Sequence, residues 1–188
     1  MSASEHEAIL TLEPLIEAVR AAVERLGWEL SGLQKTTSHQ FEGRWEGEST
    51  RSVYLFFHST VPGIAEHASI DVYLDETTKG LTGNMALVVD LAPLGTLGDA
   101  AETLERLSAL SVASLSTRRR RPLTLRFRLD DAGMETSRAE SEVRFKIAIP
   151  RSLIGRGGTA VGSLAEEAVR GFEKILASAE LSSFADGA

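Results

Sequence analysis

The 188-residue chain contains no cysteine. That excludes disulfides, thiol nucleophiles and cysteine-ligated zinc or iron–sulfur sites. Histidine is scarce: His6, His39, His58 and His67 are the four, and none pair at the i,i+2 or i,i+4 spacing of metal ligands. Glu66 and His67 near Asp71 could supply ligands, but His67 and Asp71 read more simply as strand-surface residues. No apolar run approaches the ~18 residues that span a bilayer. Met1–Glu7 has two acids and no Lys or Arg, unlike the basic start of a signal peptide. There is no Gly-x-Ser-x-Gly elbow and no phosphate-binding loop. The expectation is a cytoplasmic, non-enzymatic protein without cofactor, metal or membrane contact.

What is present is ordinary for a globular protein: 43% hydrophobic and 25% charged residues, with a net charge of −7. One domain over residues 1–188 is expected, with an ordered core from about 8 to 180 and a frayed tail from Ser182 to Ala188. The negative charge argues against non-specific nucleic-acid binding by the protein as a whole.

Hydrophobic periodicity gives the element order. Ile9, Leu12, Leu15, Ile16, Val19, Ala22, Val23 and Leu26 form one helical stripe. Pro14 places the regular helix start near Glu13, and Gly27 suits the left-handed position after its end. The period then becomes two. Trp28 and Leu30 start a short strand, Phe41, Gly43 and Trp45 a second, and Val53, Leu55 and Phe57 a third. Tyr54 and Phe56 on the other side of that strand suggest cover on both faces. Ala68, Ile70, Val72 and Leu74 alternate with Ser69, Asp71, Tyr73 and Asp75, and Leu81, Gly83, Met85, Leu87 and Val89 make a further run. Short turns between these runs favour antiparallel neighbours.

A helix is expected over about 97–117, after the capping signal Thr96…Asp99. Its second half, Leu107 to Leu115, is uncharged and small residues occur all round it, so cover on more than one side is expected. Leu107, Leu110, Ser111, Ala113, Ser114 and Leu115 are the candidate dimer-interface residues. Leu123, Leu125, Phe127 and Leu129 alternate with Thr124, Arg126, Arg128 and Asp130. Val143, Phe145, Ile147 and Ile149 alternate with Glu142, Arg144, Lys146 and Ala148. The two runs read as a hairpin with one apolar and one cationic face. A last helix is expected over Ala160–Ala179. Runs of strands between helices, without βαβ alternation, mean an α+β fold: a twisted antiparallel sheet with helices packed on it.

The charge distribution is uneven. Residues 118–156 hold 11 Lys and Arg against five acids, a net +6, and the remainder of the chain is −13. Candidate partner-binding residues are Arg118, Arg119, Arg120, Arg121, Arg126, Arg128, Arg144 and Lys146, the first four read as the C-terminal cap of the middle helix. A solvated or internally paired face is the first reading, an acidic protein partner the second, and nucleic acid the third. Stacking of bases needs exposed rings among the cations, and Phe127 and Phe145 fall on the apolar face. Gly155-Arg156-Gly157-Gly158-Thr159-Ala160 fits a dinucleotide fingerprint in letters only: no βαβ unit surrounds it, so it reads as a flexible connector. Asp71 and Asp75 share a strand face and are expected to be solubilising, not an acid pair.

The order helix, strands, helix, two strands, helix, from about residue 8 to 179, resembles the YbjN-like proteins and the type III secretion chaperones. That resemblance implies a non-enzymatic homodimer that binds other proteins, with the middle helix contributing to dimerisation. Such folds have three strands before the middle helix, and this chain offers up to five. The alternative function is a nucleic-acid accessory protein that uses the basic hairpin on DNA, RNA or a DNA-handling partner.

Overall fold

The computed structural model of the chain describes residues 12–38, 49–77, 80–90, 100–126 and 141–178. Helix α1 (Glu13–Glu24) has Pro14 in its first turn, where the missing N–H leaves no bond unmade. Gly27 follows at φ +82°, the left-handed conformation that ends the helix and turns the chain into β1 (Trp28–Ser38). Then come β2 (Ser49–Ser59), the single-turn helix α2 (Pro62–Ala65), β3 (Ala68–Thr77) and β4 (Gly80–Asp90). Helix α3 (Ala100–Ser114), β5 (Thr124–Arg126), β6 (Glu142–Ile149), the short α4 (Arg151–Ile154) and α5 (Gly158–Ser178) complete the described chain.

The six strands form one antiparallel sheet in the order β1-β2-β3-β4-β6-β5. This is the expected α+β architecture. Four strands precede α3 among the described residues; the strand expected at Phe41–Trp45 lies outside them. β1 is far longer than Trp28–Leu30. A bulge between Leu30 and Gly32 shifts its register against β2, so the period-two pattern breaks there and hides the second half of the strand.

One face of the sheet builds the core. Val53, Leu55 and Phe57 of β2, Ile70, Val72 and Leu74 of β3, Met85, Leu87 and Val89 of β4, and Val143, Phe145, Ile147 and Ile149 of β6 are all buried in one cluster with α1, α4 and α5. Each such side chain contributes about 1.5–3 kcal/mol by leaving water. α5 is the central helix. Cβ atoms added at Gly158 and Gly162 would stand 3.0 Å from the Pro14 carbonyl and 3.2 Å from that of Ala18, so the backbone of α1 rests on the first turns of α5. At Gly171 a Cβ would lie 2.7 Å from the Ser114 carbonyl, which is where the end of α3 meets α5.

Two expectations are corrected. The connector before the last helix is not a loose loop: Arg151–Ile154 is helical, and Gly157 at φ +88° makes the turn from which α5 starts at Gly158. α3 stops at Ser114, so Arg118–Arg121 do not cap it. The amides of Arg119 and Arg120 turn back onto the Ser116 carbonyl. The segment then runs along the outside of β6, Arg121 N–H donating to Lys146 O at 2.8 Å and Ala148 N–H to Arg119 O at 2.8 Å. Pairing with an otherwise open strand edge satisfies backbone groups that another helical turn would have used. Pro122, without an N–H, interrupts that pairing before β5.

Candidate functional site

The second face of the sheet carries the residues that alternate with the core. The described helices bury their side chains in the core cluster on the opposite side, and Ala86 and Val88, although buried, lie outside that cluster. Cross-strand register arranges this face in rows. Gly32, Phe56, Asp71, Ala86 and Lys146 form one; Gln34, Tyr54, Tyr73, Asn84 and Ala148 form the next; Glu29, His58, Ser69, Val88, Arg144 and Thr124 a third.

Three aromatic rings meet on β2 and β3. Tyr54 stacks on Tyr73 with centroids 4.3 Å apart and lies nearly parallel to Phe56 at 6.3 Å. Offset stacking of this kind adds about 0.5–1.5 kcal/mol per pair. Tyr54 remains 40% exposed. The Tyr73 phenol is pushed up to about 12, first by burial, then by the Asp75 carboxylate and by hydrogen bonding with Tyr54 and Asp75.

The basic residues divide between paired and open positions. Arg144 lies on this face with its Nε 2.7 Å from Glu142 and its Nη1 3.3 Å from Asp71. Arg126 reaches the same Glu142 at 3.3 Å. Asp71 also accepts from Ser69 Oγ at 3.2 Å, yet its carboxyl is held above the usual carboxylate range, because burial outweighs the help of Arg144 and Ser69. Asp90 is raised for the same first reason, opposed by His67. Lys146 shares the face, three strands from Phe56. Arg119 instead turns toward the helix layer, donating to Glu167 of α5 at 3.0 Å. Arg120 places Nη1 in a buried position without a hydrogen-bond partner. Arg118 and Arg121 are exposed, and Arg128 lies outside the described residues.

The middle helix is more asymmetric than its composition suggests. Leu107, Ser111 and Leu115 are buried within the chain's own fold, and Leu110 packs partly against the core. Ser114 is half-buried at the contact with Gly171, and Ala113 is exposed. The exposed residues of α3 are Leu104, Glu105, Arg106, Ser108, Ala109, Val112 and Ala113, with Val112 56% exposed. From Leu107 to Thr117 there is no charged residue.

The described residues contain no group of His, Asp and Glu able to hold a metal ion, and none of their helices is long and apolar enough to cross a membrane. An apolar cleft of about 180 Å3 lies between Leu26, Trp28, Val61, Ile64 and Leu176, with Glu173 as its charged member. A wider cleft of about 420 Å3 runs past Arg119, Arg156, Thr159, Ser163 and Glu167. Its one carboxylate is the Glu167 already held by Arg119. Neither cleft brings a nucleophile to a base.

Sequence reasoning did not single out Tyr54, Phe56 and Tyr73 as one cluster. Alternation assigns each to the non-core side of its strand, but their meeting depends on the β2–β3 register, Tyr54 opposite Tyr73 and Phe56 opposite Asp71. Comparison of the chain with protein-family models, curated proteins and solved structures gives no match.

Proposed function

We propose that this protein is a non-enzymatic, dimeric protein-binding module, chaperone-like or accessory in character, of the kind that its element order resembles. The observation that carries this reading is the outward side of α3. A solvated helix normally spends that side on charge; after Glu105 and Arg106 the last two turns of α3 carry none, and there Val112 stands in water with Ser108, Ala109 and Ala113. Arg118 and Arg121 are exposed just beyond it and offer acidic side chains of a partner a place to pair. The nucleic-acid alternative has the rings of Tyr54, Phe56 and Tyr73 in its favour, on the same face as Arg144 and Lys146. It has against it the carboxylates of Asp71 and Glu142, which already occupy Arg144.

The test is affinity capture from the native cell with the wild type, with Val112→Glu and with Lys174→Glu as an exposed control on α5. A partner protein recovered by the wild type and the control, and reduced at least about tenfold with Val112→Glu, is the expected result. Equal recovery on all three, or none, removes the protein-binding reading. Salt-sensitive binding of single-stranded DNA or RNA by the purified wild type would favour the alternative.

A further inference from the structure

We infer that the apolar cleft at the C-terminal end of α5 binds a small primary amine, a compact apolar body of about six to eight carbons with an ammonium group at one end. The inference goes beyond the protein-binding reading and does not depend on it. The cleft lies on the helix side of the sheet, where three segments meet. The turn after α1 brings Leu26 and Gly27, the end of β2 leads through Thr60 and Val61 into α2, and the last turns of α5 bring Glu173 and Leu176. Trp28 and Leu176, 2% and 3% exposed, form its floor. Gly27, Thr60, Val61 and Ala177 are exposed at its mouth.

The polar groups of the mouth are already engaged with one another. Thr60 donates to Gly27 O through both its N–H, at 3.0 Å, and its Oγ1, at 2.9 Å; Ser59 Oγ accepts from Val61 N–H at 3.1 Å. Glu173 is different. It is half-buried and has no ion pair or hydrogen bond from a side chain among the described residues. The nearest cations in the chain are drawn elsewhere. Arg170, three positions back on α5, holds Glu166 at 2.8 Å, and Arg25, beside Leu26, reaches the same Glu166 at 3.6 Å. Lys174 is adjacent in sequence, and adjacent residues of a helix do not face each other. A carboxylate in an apolar wall is costly until a cation meets it. The polar end of the ligand is therefore cationic. Size sets the other end. The volume of about 180 Å3 slightly exceeds the ~150 Å3 cavity that holds benzene, and it falls short of the roughly 300 Å3 at which pockets for larger ligands begin. One ring or one branched alkyl group fills it, packed on Trp28, Ile64 and Leu176. The mouth keeps no unused group for a peptide backbone, which favours a free amine over a residue of a partner chain. Charge also disfavours the chain's own segment 179–188, which carries Glu180 and Asp186 and no Lys or Arg.

The probe is phenethylamine. The reporter is the Trp28 indole N–H in a proton–nitrogen correlation spectrum, told apart from Trp45, the second tryptophan, by Trp45→Phe. A saturable shift with a dissociation constant of about a millimolar is expected. Phenylpropanoate, which carries a carboxylate in place of the ammonium, should bind at least about tenfold more weakly, and methylamine, which lacks the ring, likewise. Glu173→Gln should weaken phenethylamine at least about fivefold with an unchanged thermal melt. Ala177→Trp, at an exposed position of the mouth, should abolish the shift. No saturable shift at Trp28, equal binding of amine and carboxylate, or full binding by Glu173→Gln overturns the inference. A Lys-Phe dipeptide blocked at both ends that binds at least about tenfold tighter than phenethylamine also overturns it, and gives the cleft to a protein partner. A shift that appears only after Phe184→Ser overturns it in favour of the chain's own segment. None of these outcomes bears on capture through Val112, so the two readings fail separately.

Discussion

On the core face of the sheet, Leu55, Phe57, Ile70, Val72, Leu87 and Phe145 are sealed from water, while the residues between them, Tyr54, Phe56, Asp71, Tyr73 and Lys146, keep part of their surface in it. Both sets obey the same period of two, so the pattern does not distinguish them. What separates them is what lies above. α1 and α5 cover the first face, and there the sealed side chains just named are all apolar and replaceable only at the expense of packing. The second face must balance each polar group locally, which is why Arg144 is held by two carboxylates and Tyr73 by stacking and an acid. A core face fixes the fold; a locally balanced face is available for contact.

The sharpest way to break this contrast is to truncate one large side chain on each side. Phe145→Ala removes a fully buried ring beside its cross-strand partner Leu87 and should lower stability by about 3–5 kcal/mol in urea denaturation. Tyr54→Ala should cost about 1 kcal/mol, the stacking on Tyr73 and part of its apolar burial, because the ring is 40% exposed. Equal losses would mean that the second face is as deeply packed as the first, and the contrast would be gone. The chain should be compared at one fixed concentration, since association adds to apparent stability.

A second, smaller effect is expected where the helix layer is tightest. Gly171→Val puts a Cβ 2.7 Å from the Ser114 carbonyl and 2.9 Å from Leu115 Cδ2. The carbonyl is backbone and cannot rotate away, so the end of α3 must move off α5. A loss of about 1–3 kcal/mol is expected, with hydrogen exchange faster in α3 than in the sheet. Uniform loss of protection would show that α3 is not a separately attached element.

How much of this was legible beforehand follows the same division. The core face was readable: Val53, Leu55 and Phe57, Ile70 to Leu74 and Val143 to Ile149 fall where alternation puts them, and the α+β architecture follows from their order. The outward residues were assigned to the right side of their strands, but their neighbours were not known. Arg144 could not be seen to meet Asp71, because β3 and β6 touch only through β4 and are separated by 73 positions in sequence. The charge-poor half of α3 read as a stretch covered on more than one side. In the fold its inward residues Leu107, Ser111 and Leu115 belong to the chain's own packing, and Val112 and Ala113 face out. Composition alone cannot assign a side to a stretch of helix that has no charged residue to mark the solvent face. The Arg118–Arg121 cap failed because a local rule for helix ends competed with a long-range edge, the open side of β6, that local sequence does not display.

The smallest expected effect concerns the charge balance of the second face. The Asp71 carboxyl is raised above its usual range, by burial before anything else, and Arg144 and Ser69 only partly offset this. For an acid whose folded value exceeds its unfolded one, the folded state binds the proton more tightly. Its stabilising contribution is therefore complete below the unfolded value near 4 and is lost as pH rises through the higher folded value. Asp71→Asn keeps an acceptor for Ser69 and Arg144 but removes the titration. Stability of the variant at pH 7 should lie within about 1 kcal/mol of the wild type. In the window above about pH 4 the wild type should lose stability relative to the variant as pH rises. Raised Asp90 titrates in the same direction and is common to both proteins, so the difference between the two curves isolates Asp71. A wild type that gains stability over the variant across that window would mean that Arg144 outweighs burial. The second face would then be held by its ion pairs, in place of merely tolerating them.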